Sequence, residues 1–149
     1  MFKLSTSRRL AYWKNFRNQL GSMPLKKALE ATQQLWQLCP FTPFYLNIEQ
    51  PDSWPNPWEL ISENYYCDLA KALGIVYTLH LSDHSAELDP EIRVYYDPVR
   101  KYHYHIAYFA QGKYVLNLIE EEVVNKQQID QRMKLKYCYT AADLKLEQY

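Results

Sequence analysis

One cysteine, a pair of histidines and an asparagine follow one another in the order that thiol-based acyl transfer uses. Cys67 comes first, His103 and His105 stand two residues apart further on, and Asn117 ends the run Tyr114-Val115-Leu116-Asn117. In that chemistry a thiolate attacks an acyl carbon, a neighbouring imidazole takes the thiol proton, and a third polar group orients the ring. Alternate strand positions share a face, so His103 and His105 can point together. The four histidines, His80, His84, His103 and His105, could also be read as a metal set, but no carboxylate sits at a spacing that completes one, and no metal is expected. GxGxxG, P-loop and GxSxG patterns are absent, and three glycines (Gly21, Gly74, Gly112) are few for a phosphate cradle, so no nucleotide or other cofactor is expected either.

The elements that must position these groups are legible in outline. Leu10, Trp13, Phe16 and Leu20 recur at helical spacing from Ser5 or Ser7 onward, closed by Gly21. A second helix begins near Ser22, carries Leu25, Ala28, Leu29, Thr32, Leu35, Trp36 and Cys39 on one face, and must stop at Pro40. Residues 40–57 hold five of the eight prolines among large apolar side chains, which predicts an irregular segment lying across the core. Asn56, Pro57 and Glu59 form a helix start with a capping box. The stripe Ile61, Tyr65, Leu69 and Leu73 then predicts one helix from Pro57 to about Leu73, stopped by Gly74. Beyond it, Ile75–Leu81, Ile92–Tyr96, Tyr102–Ala110, Tyr114–Ile119 and Met133–Tyr139 read as strands, with turn signals at 82–90, 97–101 and Gly112. Residues 140–149 suit a short helix capped by Thr140, or a frayed end. Helices first and an antiparallel sheet of four to five strands afterwards define an α+β class. The reading is one domain over 1–149: a helical hairpin (1–39), a Pro/aromatic segment (40–56), and a central helix packed on the sheet (57–149).

Register decides whether histidine and asparagine meet. A three-residue loop, Ala110-Gln111-Gly112, with Gly112 left-handed, sets His105 opposite Asn117; a two-residue loop pairs Ile106 with Asn117 and sends Asn117 and His105 to opposite faces. The first has the better turn chemistry.

This order of residues, from Pro57 to Ile119, resembles the core of transglutaminase-like and papain-like proteins. The resemblance implies a cysteine at a helix start, a histidine on the following strand and an Asp or Asn on the next, hence a cysteine-dependent acyltransferase or hydrolase using Cys67, His105 and Asn117. The predicted long helix departs from it. Cys67 would lie ten residues after Pro57, with Trp58 and Glu59 where the nucleophile belongs, so Cys67 reads as a core thiol and the triad as a coincidence or a remnant.

Composition is balanced at 17 basic and 17 acidic residues, so no overall field draws the chain to nucleic acid or to an acidic membrane. Residues 1–30 nevertheless hold seven basic residues against Glu30 alone, which keeps a contact of Arg8, Arg9, Lys14 and Arg17 with phosphates open as a minor reading. Cys39, Cys67 and Cys138 are odd in number and form no CxxC pair, which suits reduced, buried thiols. No signal core opens the chain and no run is long enough to span a membrane. With 14 Tyr and four Trp, the chain has ample side chains for protein contact, and Trp54, Trp58, Tyr102, Tyr104 and Tyr108 are the candidates.

A second resemblance rests on Arg9–Arg17, Trp36 with Pro40-Phe41, the stretch Trp54-Pro55-Asn56-Pro57-Trp58-Glu59-Leu60-Ile61, and Cys67–Gly74. In that order these look like small proteins of tailed bacteriophages, including phages of cyanobacteria. That resemblance implies a virion or host-cytoplasm setting and, for a Tyr-rich neutral chain, a non-enzymatic neck, tail or baseplate component contacting other virion proteins or copies of itself.

Overall fold

The computed structural model describes residues 1–149. Four helices, α1 (Thr6–Leu20), α2 (Leu25–Gln37), α3 (Pro57–Ile61) and α4 (Asp68–His80), precede strands β1 (Glu91–Asp97), β2 (Tyr102–Phe109), β3 (Tyr114–Ile119), β4 (Glu122–Val124) and β5 (Lys134–Tyr139). The strands form one antiparallel sheet in the order β4-β3-β2-β1-β5, so the α+β expectation holds.

Packing starts from α4, whose run Leu69-Ala70, Ala72–Leu79 is buried almost throughout. Thr78 is its polar anchor. Its Oγ1 accepts the indole N–H of Trp13 from α1 (3.0 Å) and of Trp36 from α2 (2.9 Å), and donates to Gly74 O (2.7 Å). Gly74 does not stop the helix, as its position had suggested. A Cβ there would lie 2.4 Å from the Trp36 ring, so Gly74 is the seat on which that indole rests. Ile75–Leu81 accordingly continues α4 to His80 instead of forming a strand: burial on all sides makes a β-branched, apolar run ambiguous between the two.

The sheet covers α4 with Ile92, Ala107, Phe109 and Leu116. Its opposite face holds a smaller cluster, Tyr95, Ile106, Tyr108, Val115 and Val124, closed by Ile129 and Met133. The turn between β2 and β3 has four residues, since Phe109 pairs with Tyr114, and Ala110, Gln111 and Gly112 all take positive φ. The register is that of the two-residue alternative, Gln111-Gly112, closed by Lys113 N donating to Ala110 O (3.2 Å), and the favoured three-residue loop does not form. Glu120 and Glu121 are an exposed turn leading to the short β4, and the chain end is folded back, with Leu144 and Leu146 in the core.

Candidate active site

The predicted single helix from Pro57 is two helices, and the break between them is made by specific bonds. Arg9, buried on α1, donates through Nη1 to Ile61 O (3.0 Å) and Glu63 O (2.6 Å), and through Nη2 to Phe2 O (2.8 Å) and Leu4 O (3.2 Å). The Tyr66 hydroxyl is shared among Leu60 O, Ile61 O and Glu63 O at 2.8–3.2 Å. Helix-end carbonyls satisfied in this way no longer need a continuing helix. Tyr66 then runs extended beside Phe41, with Thr42 N donating to Tyr66 O and Tyr66 N to Pro40 O. Cys67 therefore stands at the N-cap of α4, not deep within a helix. The first turn of α4 offers free amides and the positive end of its dipole there, the setting in which a thiolate is best stabilised. The polar trio Ser62-Glu63-Asn64 after Ile61 was the available sign of the break.

His105 lies on the α4 side of the sheet, paired with Val94 across β1 and two residues before the buried Ala107. Its ring Nδ1 is buried and makes no hydrogen bond. Burial lowers its pKa from the ordinary 6.5, with the Asp68 carboxylate pulling the other way and His103 reinforcing the drop. Asp68, the residue after Cys67, accepts a 2.7 Å hydrogen bond from the Tyr102 hydroxyl, which together with burial pushes the Tyr102 pKa up to about 12.

Asn117 reaches this cluster by an unexpected route. The pairs Phe109–Tyr114, Tyr108–Val115 and Ala107–Leu116 set the register that puts Asn117 level with Ile106, on the face away from His105. At φ 66° Asn117 leaves that alternation, a conformation Asn tolerates better than other non-glycine residues. Its Nδ2 then donates to His105 O (2.8 Å) and, more weakly, to Asp68 O (3.5 Å), so the side chain ties β2 to the first turn of α4. Gln33 of α2, almost fully buried, fixes the turn by accepting from Asn117 N (2.7 Å) and donating to Glu122 O (2.8 Å). Cys67 and His105 line one cavity and His105 and Asn117 another, and Asn117 bonds to backbone carbonyls with no hydrogen bond to the imidazole ring. Asp68 and Gln33 were not singled out from the sequence; an Asp in the first helical turn directly after a cysteine was the only sign of the former.

Two cavities meet at His105. One, of about 250 Å³, is polar and bounded by Asp68, Lys71, Tyr102, Tyr104 and Asn117. The other, of about 510 Å³, opens between the 41–48 segment and the sheet, and Cys67, Asp68, His103 and His105 line it.

The remaining candidates divide. Tyr102 and Tyr104 border the site, Trp58 is half exposed against Tyr149, and Trp54 spends its indole N–H on Asn47 O (2.7 Å). Tyr108 is only 5% exposed, in the second cluster, and cannot serve partner contact. The basic set is similarly reduced: Arg9 is buried, and Arg17 lies 4.2 Å over the Trp13 ring. All three cysteines are free, Cys138 being exposed rather than buried, and burial pushes the Cys39 thiol up to about 12. His80 and His84 bond to the carbonyls of Leu146 and of Leu20 and Met23, and no three His, Cys, Asp or Glu side chains converge on a metal position. No helix is long and apolar enough to cross a membrane.

Comparison with solved structures agrees with this α+β architecture at the level of fold. Legionella pneumophila LapG in its calcium-bound form superposes with a TM-score of 0.72 at 18% identity, over 93% of this chain and 77% of that one. The EGTA-treated form gives 0.71 at 18% identity, over 91% and 74%, and a third LapG structure 0.70 at 18%, over 91% and 75%. No family model and no curated protein matches the sequence.

Proposed function

We propose that this chain is a cysteine-dependent acyl hydrolase or acyltransferase of transglutaminase-like type, with Cys67 as nucleophile and His105 as base. The observation that carries the reading is the break at Ser62–Tyr66, which leaves Cys67 at the start of α4, in one cavity with His105. The fold likeness to LapG supports it. The rival reading, a non-enzymatic virion component, rests on the resemblance to tailed-phage proteins, which neither the fold nor the comparisons support, and the departure that weighed against catalysis, Cys67 deep in a helix, is removed by the break.

His105 takes the proton of the Cys67 thiol, the sulfur forms a bond to the acyl carbon, and the carbon's bond to its nitrogen or oxygen leaving group breaks as that group takes the proton back. Water, or an amine in a transfer reaction, then attacks the thioester, His105 accepts its proton, and the thiol is regenerated. Asp68 sets a negative charge near the imidazolium, and Asn117 keeps the two elements in register.

Iodoacetamide at neutral pH tests this. With Cys138→Ser removing the exposed thiol, labelling of Cys67 is expected at a rate that falls by at least about tenfold in His105→Ala. An inert Cys67, or a rate indifferent to His105, rejects the enzyme reading.

A further inference from the structure

The His105 ring carries a group that the acyl-transfer step makes costly. Its Nδ1 is buried without a hydrogen bond. Once the other ring nitrogen has taken the Cys67 proton, both nitrogens carry hydrogen, and a buried N–H on a charged ring needs an acceptor. Asn117 is spent elsewhere: its amide N–H bonds to His105 O (2.8 Å) and Asp68 O (3.5 Å), and it brings no charge to balance the ring. Asp68 brings one. Its Oδ2 accepts the Tyr102 hydroxyl at 2.7 Å, its Oδ1 bonds to nothing in the chain, and it lines both cavities together with His105 and Tyr102. By taking the main-chain carbonyls of Asp68 and His105, the Asn117 amide keeps the two backbones adjacent.

We propose that Asp68 is the positioning residue for His105, its free Oδ1 accepting the Nδ1–H of the imidazolium while Tyr102 holds the other oxygen. The inference rests on the cysteine-enzyme reading and deepens it: the orienting carboxylate comes from the helix residue next to the nucleophile, and the Nδ1 proton stays on the ring. The titratable groups that share the two cavities with the imidazole are Cys67, Asp68 and Lys71 of α4, Lys101 before β2, Tyr102, His103 and Tyr104 on it, Glu120 after β3 and Tyr137 of β5. Among them Asp68 acts to raise the ring's pKa against burial, and His103 acts to lower it. A carboxylate beside the sulfur is by itself a disadvantage, because its charge disfavours the thiolate. Spent on the imidazolium, the same charge favours the thiolate–imidazolium pair. The direct effect of Asp68 on Cys67 and its effect through His105 therefore have opposite signs.

Two readouts use that difference in sign, with Asp68→Asn as the variant, its fold checked by circular dichroism, and Asp68→Ser in its place if Asp68→Asn does not fold. The first is the NMR titration of the His105 ring in Cys67→Ser protein, a substitution suited to a helix start. Asp68→Asn is expected to lower the His105 midpoint by at least about half a pH unit and to leave that of the remote His84 in place. The second is iodoacetamide labelling of Cys67 at pH 7 in the Cys138→Ser background. Asp68→Asn should slow it by at least about threefold when His105 is present and should not slow it further in His105→Ala. A helix-start role for Asp68 alone would move neither the midpoint nor the dependence on His105. An unmoved midpoint, labelling that is unchanged or faster with His105 present, or equal slowing with and without His105 overturns the inference. If Cys67 proves inert, the enzyme reading falls and the titration still decides whether Asp68 holds the ring; if Cys67 reacts in a His105-dependent way, failure of the Asp68 readouts overturns this inference alone.

Discussion

His105 and Asn117 join the sheet to the first turn of α4, the one through its buried ring and the other through its side-chain amide. Burial holds the imidazole below its ordinary 6.5, so the folded ring is neutral at pH 7 and ready to accept a proton. The same shift fixes the pH dependence of stability. The unfolded ring titrates at 6.5 and the folded one lower, so between those values the unfolded chain binds more protons. Stability is therefore undiminished by this group above pH 6.5 and is lost as pH falls from there towards the folded value. His105→Gln should flatten that acid-side loss, which thermal melts at pH 7 and pH 5 would reveal as a smaller difference than in the wild type. Asn117 offers a sharper distinction. Were it an orienter of the imidazole, Asp would replace it well; as a donor to His105 O and Asp68 O, it cannot be so replaced, because a carboxylate has no N–H and faces two carbonyls. Asn117→Asp is expected to cost about 1–3 kcal/mol in denaturant unfolding and to slow Cys67 alkylation.

Among the elements, the break between α3 and α4 matters most, because it alone moves Cys67 from a helix interior to a helix start. Arg9 and Tyr66 make the break by taking the carbonyls at the end of α3. Arg9→Met keeps the stem but removes the donors to four carbonyls. Cys67 alkylation should then drop by about tenfold or more at temperatures where circular dichroism still reports a folded protein; an unchanged rate would mean that the break is set by something else. The α1–α2 pair reads differently from its sequence appearance. What looked like a basic face is in part an internal brace, since Arg9 is buried and Arg17 stacks on Trp13.

At the scale of the whole molecule, three helices are stapled through one hydroxyl. Thr78→Val preserves volume and leaves the buried Trp13 and Trp36 indoles without an acceptor, at about 1–3 kcal/mol for each orphaned group. A melting temperature lowered by several degrees, at about 2–4 °C per kcal/mol, is the expected result. The sequence alone carries the fold class, two N-terminal helices, the capping box at Asn56 and Glu59, and the order cysteine, histidine, asparagine, because periodicity, caps and residue order are local properties of the chain. It could not determine that Pro57–Leu73 is interrupted, since the apolar stripe continues across Ser62–Tyr66 and the bonds that end α3 come from Arg9, more than fifty residues away. Nor could it show that Ile75–His80 is helix, because full burial erases the period that tells helix from strand. Strand register, the left-handed turn at Asn117 and the groove beside Cys67 were likewise decided only in the tertiary structure: each depends on which distant backbone atoms remain to be paired once the core has closed.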